Sequence, residues 1–149
     1  MEKKEEYRSI VSKEDIKNGL KNLGINSGFI LGVHSSLSSF DHVKGGAMAV
    51  IDALLEVVCN EGTIVIPTYS TNRTEFERTS EEKTIGLLWK FKILPFDPKE
   101  TPCWTGIIPE TFRKMEGILR SKHPVFSIAA KGSKAKEIVD KGGQSSLGG

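Results

Sequence analysis

The chain has 149 residues, 38% hydrophobic and 27% charged, with a formal net charge of +2 and two cysteines. That is long enough for one domain with a real core and too apolar for a disordered chain. The small charge and the lack of an arginine-rich stripe argue against nucleic-acid binding, and no run nears the ~18 apolar residues of a membrane span. The opening MEKKEEYR carries both signs with no apolar run behind it, unlike a secretory signal. Cys59 and Cys103 lack CxxC spacing, and His34, His42 and His123 are not spaced as zinc ligands. A cytoplasmic protein with residues 1–149 in one domain, free thiols and no metal is expected.

Ser12 with Asp15 three residues on predicts a capped helix start. Ile16, Leu20 and Leu23 follow at helical spacing, and Gly24 supplies the stop. FILGV (29–33) reads as a buried strand. Ile51, Leu54, Leu55 and Val58 then define an amphipathic helix that starts near Gly45–Gly46 and ends by Gly62, with Cys59 on its apolar face. TIVIP (63–67) reads as a second strand, closed by Pro67. Strand, loop, helix and strand make a βαβ unit, which predicts an α/β fold on a mostly parallel sheet.

Residues 68–104 read as a loop-rich excursion. TGIIPETFRKMEG (105–117) has Pro109 and Glu110 where a helix start favours them. VFSIAA (125–130) reads as a third strand and SKAKEIVDK (133–141) as a helix capped by Ser133. Three strands make a thin sheet with a bare edge, so a missing part of the fold or a second copy in a homo-oligomer is expected to cover it.

The loop GVHSSLSSFDHVKGG (32–46) carries two histidines and four serines between a strand end and a helix start. Ligands of open α/β sheets bind at that edge, where hydroxyls and unpaired N–H groups can hold an anion. A solvated polar turn is the plain alternative. His34 and Ser35 are adjacent on an extended chain and point apart, and no GxSxG elbow is present, which disfavours a serine hydrolase. Thr68, Tyr69 and Ser70 reach the same edge, Thr105 and Gly106 precede a helix start, and Arg120, Ser121 and His123 precede a strand. Arg120 is a candidate phosphate ligand, with a solvated surface charge as its alternative.

The segments LGVHSSLSSF, VIDALLEVVCNEGTIVIPTYS, FDPKETPCWTGIIPETFRK and GILRSKHPVFSIAAKGSKAKEIV, in that order, resemble the aminoglycoside N(3)-acetyltransferase family from about Ile10 to Gly149. The resemblance implies a three-layer α/β/α fold and acetyl transfer from acetyl-CoA to the 3-amino group of a 2-deoxystreptamine aminoglycoside, with no metal. It assigns His34, Ser35, Ser36, Leu37 and Ser38, then Thr105, Gly106 and Ile107, then Arg120 and Ser121, to the cofactor. It places Thr68 and His123 near the reacting groups and Tyr69 by the acceptor amine. Between Ser70 and Leu94 the chain departs from the family's acidic, tryptophan-rich stretch. The family's general-base histidine, in an NTSLH-like segment, falls beyond the chain's last residue. Impaired transfer is therefore expected, with a non-catalytic CoA- or phosphate-binding module as the alternative.

Overall fold

A computed structural model describes residues 10–40, 42–71, 73–75, 79–86 and 91–142. A short strand β1 (Ile10–Val11) leads into helix α1 (Lys13–Asn22). Ser12 caps α1 by a reciprocal capping box: its Oγ accepts from the Asp15 N–H (3.2 Å) while the Asp15 carboxylate accepts from the Ser12 N–H (2.8 Å). Gly24 follows at φ +83°, a conformation only glycine adopts without strain. Ile16 and Leu20 pack on the core, but Leu23, expected beside them, faces solvent at the frayed end.

Strand β2 (Ile30–Gly32) is followed by the serine-rich loop, in which Leu37–Ser39 form one 3-10 turn. Strand β3 (His42–Val43) then pairs in parallel with β1. Helix α2 (Gly46–Val58) is the central pillar, burying Ala47, Val50, Ile51, Leu54 and Val58 as its apolar period requires. Gly45 and Gly46 open it at φ +90° and +59°, where a side chain would be strained. Cys59 is not on the apolar face: it is the exposed C-cap at φ +56°. Lys13 and Lys17 of α1 reach Glu56 of α2 at 2.7 and 2.9 Å and hold its carboxyl down to about 2.

Strand β4 (Thr63–Pro67) pairs in parallel with β2, as the βαβ reading requires. The excursion carries the antiparallel ribbon of β5 (Arg73–Glu75) and β6 (Phe91–Ile93), with the short helix α3 (Ser80–Thr84) between them. Helix α4 (Ile107–Arg113), strand β7 (Leu119–Arg120), strand β8 (Ile128–Gly132) and helix α5 (Ala135–Gly142) complete the described chain.

The main sheet has the order β2-β4-β8-β7, and β8 runs antiparallel to both neighbours. The described sheet is therefore mixed, with β2, β4 and β7 running one way and β8 the other. The connection through residues 121–127 is too short for a crossover, so β8 reverses and inserts between β4 and β7. α2 and α4 pack over Ile64, Ile66 and Ala129 on one face of the sheet. On the other face, Ala135 and Val139 of α5 pack over Val65 and Ala130. Ser133 does not cap α5: it precedes the helix, and its hydroxyl donates to the Glu61 carbonyl (2.6 Å).

No helix among the described residues is long and apolar enough to cross a membrane, and no group of three or more His, Cys, Asp or Glu among them is arranged to hold a metal.

Candidate functional site

The C-terminal ends of β2, β4 and β7 and the start of β8 meet at one edge of the sheet, so the expected site segments converge there. A cleft of about 260 Å³ opens at this edge. Val33, His34 and Ser35 line it from β2, Pro67 and Tyr69 from β4, and Trp104, Thr105 and Pro109 from the approach to α4. It is smaller than the roughly 300–1,000 Å³ that buries most of a drug-sized ligand, so it suits one arm of a longer molecule.

Backbone bonds fix the cleft walls. The Val33 N–H donates to the Val65 carbonyl (2.8 Å) and the Trp104 N–H to the Tyr69 carbonyl (2.9 Å). The Thr105 hydroxyl donates to the Pro67 carbonyl (2.8 Å), which leaves its oxygen lone pairs as acceptors. The indole of Trp104 lies 6.4 Å from the Tyr69 ring, and Phe126 meets Tyr69 edge-on at 5.5 Å. Trp104 and Phe126 remain 62% and 56% exposed, forming an aromatic rim. Neither was singled out by the sequence reading. An aromatic residue beside each hydroxyl-bearing loop (CWTG and VFS) was the available signal.

The Ser35 Oγ is buried at the cleft and has no hydrogen-bond partner. A buried hydroxyl left unpaired costs roughly 1–3 kcal/mol, so an acceptor or donor on a ligand would relieve it. His34 is exposed beside it and contributes to the same cleft lining. Ser36 and Ser38 are exposed and bond each other at 2.7 Å, outside the cleft lining. Leu37 faces the hydrophobic core rather than the cleft. Gly106 and Ile107 also lie outside the lining. Gly106 holds φ +124° as the N-cap of α4, and Ile107 is its exposed first residue.

Behind the cleft floor lies a closed polar network. Thr68 is fully buried, and its Oγ1 donates to the Ser127 carbonyl (3.2 Å). The Ser127 hydroxyl donates to the Thr68 carbonyl (2.7 Å). Arg120, 8% exposed, donates from Nε to both hydroxyl oxygens (3.1 and 3.0 Å) and from Nη2 to the Thr68 carbonyl (2.7 Å). Its Nη1 donates to the carbonyls of Pro98 (3.2 Å) and Thr101, and the Phe96 ring covers the guanidinium at 5.0 Å. Arg120 is thus neither the solvated charge nor the open phosphate ligand that its sequence position suggests. Ser121 is buried as well, its hydroxyl accepting from the Ile128 N–H (3.0 Å).

His123 sits past the aromatic rim, 5.4 Å from Phe126. Its Nδ1 accepts from the N–H groups of Val125 (3.2 Å) and Phe126 (2.8 Å).

Further back, Asp97 folds residues 97–101 into a turn by accepting from the N–H groups of Lys99 (2.7 Å) and Glu100 (3.0 Å). Arg113 donates to the Lys99 carbonyl (2.6 Å) and makes a bidentate pair with Glu110 (2.6 Å to each oxygen). Burial alone would raise the Glu110 carboxyl. Arg113, the Cys103 N–H and Lys114 together hold it well below the usual carboxylate range. The Cys103 thiol is pushed up, chiefly by burial.

This fold, a sheet edge with a hydroxyl-lined cleft between two helix-bearing crossovers, has clear relatives. The family described as aminoglycoside 3-N-acetyltransferase matches residues 33–147. The SPbeta prophage-derived aminoglycoside N(3')-acetyltransferase-like protein YokD of Bacillus subtilis is 36% identical over 135 residues, covering 87% of this chain and 50% of its own length. AAC-IIIb in a binary complex with CoASH superposes with a TM-score of 0.72 at 26% identity, covering 88% of this chain and 49% of that one. A mutant of aminoglycoside acetyltransferase AAC(3)-IVa in complex with a gentamicin superposes with a TM-score of 0.71 at 29% identity, covering 91% and 45%.

The chain belongs to the aminoglycoside 3-N-acetyltransferase family, a family of acyltransferases. It spans about half the length of the relatives it matches.

Proposed function

We propose that these residues form the acetyl-CoA side of an N-acetyltransferase cleft. In the whole protein the reaction is acetyl transfer to the 3-amino group of a 2-deoxystreptamine aminoglycoside, on a three-layer α/β/α fold. The observation that carries this reading is the unpaired, buried Ser35 Oγ in a cleft at the sheet edge, in a chain of this family. A relative's structure holds CoASH, which supports the cofactor, and another holds a gentamicin, which supports the acceptor class.

Acetyl-CoA supplies a thioester whose carbonyl carbon is attacked by the amine; the C–N bond forms, the C–S bond breaks and the thiolate leaves. Ser35 and Thr105 are the cleft hydroxyls placed to bond the ligand's polar atoms, and His34 stands at its mouth. Tyr69, under the aromatic rim, is placed to contact the acceptor. Thr68, Arg120 and Ser121 act from behind the floor. Removing the ammonium proton needs a positioned base, worth ~10²–10⁴-fold. Among the described residues His34 and His42 are exposed and His123 accepts from two backbone N–H groups through Nδ1, and this reading assigns the base to none of them. The 149 residues therefore bind CoA and turn over poorly or not at all. That geometry also favours the second reading, a CoA-binding module without turnover.

Two measurements on the purified chain test this. Calorimetric titration with CoA is expected to show saturable 1:1 binding, and a thiol-release assay with acetyl-CoA and gentamicin is expected to show no release above buffer. A folded chain that does not bind CoA sinks the cleft assignment. Release above buffer sinks the missing base.

A further inference from the structure

We propose that Arg120 is a positioning residue that sets the shape of the cleft without touching what the cleft holds. The inference rests on the reading of that cleft as a CoA site. The guanidinium ties together three segments that are distant in the chain: the end of β4 at Thr68, the start of β8 at Ser127, and the turn at Pro98 and Thr101. Each segment runs directly into the ligand side. Thr68 precedes Tyr69, Ser127 follows Phe126, and the turn leads to Trp104 and Thr105.

Two residues next to these tethers, Trp104 and Tyr69, are in turn joined by the bond between their backbones. One planar fork thus holds the Tyr69 side of the cleft, the Trp104–Thr105 side and the aromatic rim, while the Val33–Ser35 side is held separately by the Val33 N–H to the Val65 carbonyl. All three nitrogens have oxygen acceptors inside the protein, and Phe96 covers the group, so a phosphate has no access to it. The acceptors are carbonyls and hydroxyls, none of them a carboxylate. The arginine therefore acts through the geometry of its N–H groups, and a lysine, with a single nitrogen, cannot span the same acceptors.

The chain has two tryptophans, so Trp89→Phe leaves Trp104 as the sole tryptophan reporter of the rim. In that background Arg120→Lys is compared with Val139→Ala, which loosens the core on the opposite face of the sheet and touches no cleft residue. The readouts are acrylamide quenching of Trp104 and the calorimetric Kd for CoA. Arg120→Lys is expected to raise the quenching constant about twofold and to weaken CoA binding about tenfold, because the cleft must then be ordered when the ligand binds. Val139→Ala is expected to lower Tm and leave both readouts at the parent value.

A folded Arg120→Lys chain with parental quenching and parental Kd overturns the proposal. So does a Val139→Ala chain that shifts both readouts as far. If the parent chain does not bind CoA, the cofactor reading fails by itself and the Trp104 quenching arm decides the role of Arg120. If Arg120→Lys does not fold, Ser127→Ala, which removes one Nε acceptor, replaces it. Higher quenching in that variant supports the proposal, and unchanged quenching overturns it.

Discussion

Two hydroxyl-rich regions meet at the same sheet edge and have opposite bonding states. At Thr68 and Ser127 every hydroxyl is buried and bonded, to each other's carbonyls and to Arg120. In the 34–38 loop the hydroxyls of Ser36 and Ser38 bond only each other at the surface, and the Ser35 Oγ is buried with no partner. A saturated network rigidifies its surroundings and has little left to offer a ligand; an unsatisfied group does the reverse. On the proposed reading the two regions divide the work: one shapes the cleft and the other meets its contents.

Substitutions can break this division, and the largest effect is expected behind the floor. Arg120→Met leaves the Pro98 and Thr101 carbonyls without this donor and the Thr68 carbonyl with Ser127 alone, and should cost at least ~3 kcal/mol in urea-unfolding experiments. Thr68→Val keeps the shape and removes the hydroxyl that receives Arg120, for about 1–2 kcal/mol by the same measurement. If either change is neutral, the network is not the stabilising partner in the comparison.

Glu110 gives a smaller, pH-dependent effect. Its carboxyl is depressed in the folded chain, so its contribution is present above the ordinary value of 4.5 and is lost as pH falls through the depressed folded value. Glu110→Gln should lower Tm at pH 7 and narrow the gap to the parent as the pH is taken down through the acid range. A gap that stays constant would show that the Arg113 pair is not the source.

The opposite sign is expected at Ser35. Ser35→Ala removes an unpaired buried hydroxyl, so Tm should hold or rise by the equivalent of up to ~1 kcal/mol while CoA affinity falls. A loss of stability there would mean that the hydroxyl is already bonded in the free chain. The smallest effect belongs to Ser38→Ala, at the exposed end of the loop, where a change within about ±0.5 kcal/mol is expected in thermal unfolding.

Much of the local structure was legible because it depends on short-range chemistry. The Ser12–Asp15 capping box, the Gly24 stop, the α2 period and the TIVIP strand are written in neighbouring residues, and the parallel β2–β4 pair follows from the crossover between them. The β1–β3 pair, the β5–β6 ribbon and the reversal of β8 depend on partners far along the chain and leave no period to read.

The same limit applies to the site. Residue type placed Ser35, Tyr69 and Thr105 at one sheet edge, and the family resemblance named the ligand. Residue type could not separate Thr68 from Ser35, because both are hydroxyls at the end of a strand. Nor could it show that Arg120 faces inward, that Leu37 packs into the core, or that Trp104 and Phe126 form the rim.

By itself the sequence determined the α1 and α2 helices, the β2 and β4 strands and the loops that follow them, since caps, periods and glycine positions act within a few residues. Only the tertiary structure decided which polar groups are satisfied internally and which stay available. A hydrogen bond needs its partner in space, and the partners of Arg120 lie as far as 52 positions away in the chain.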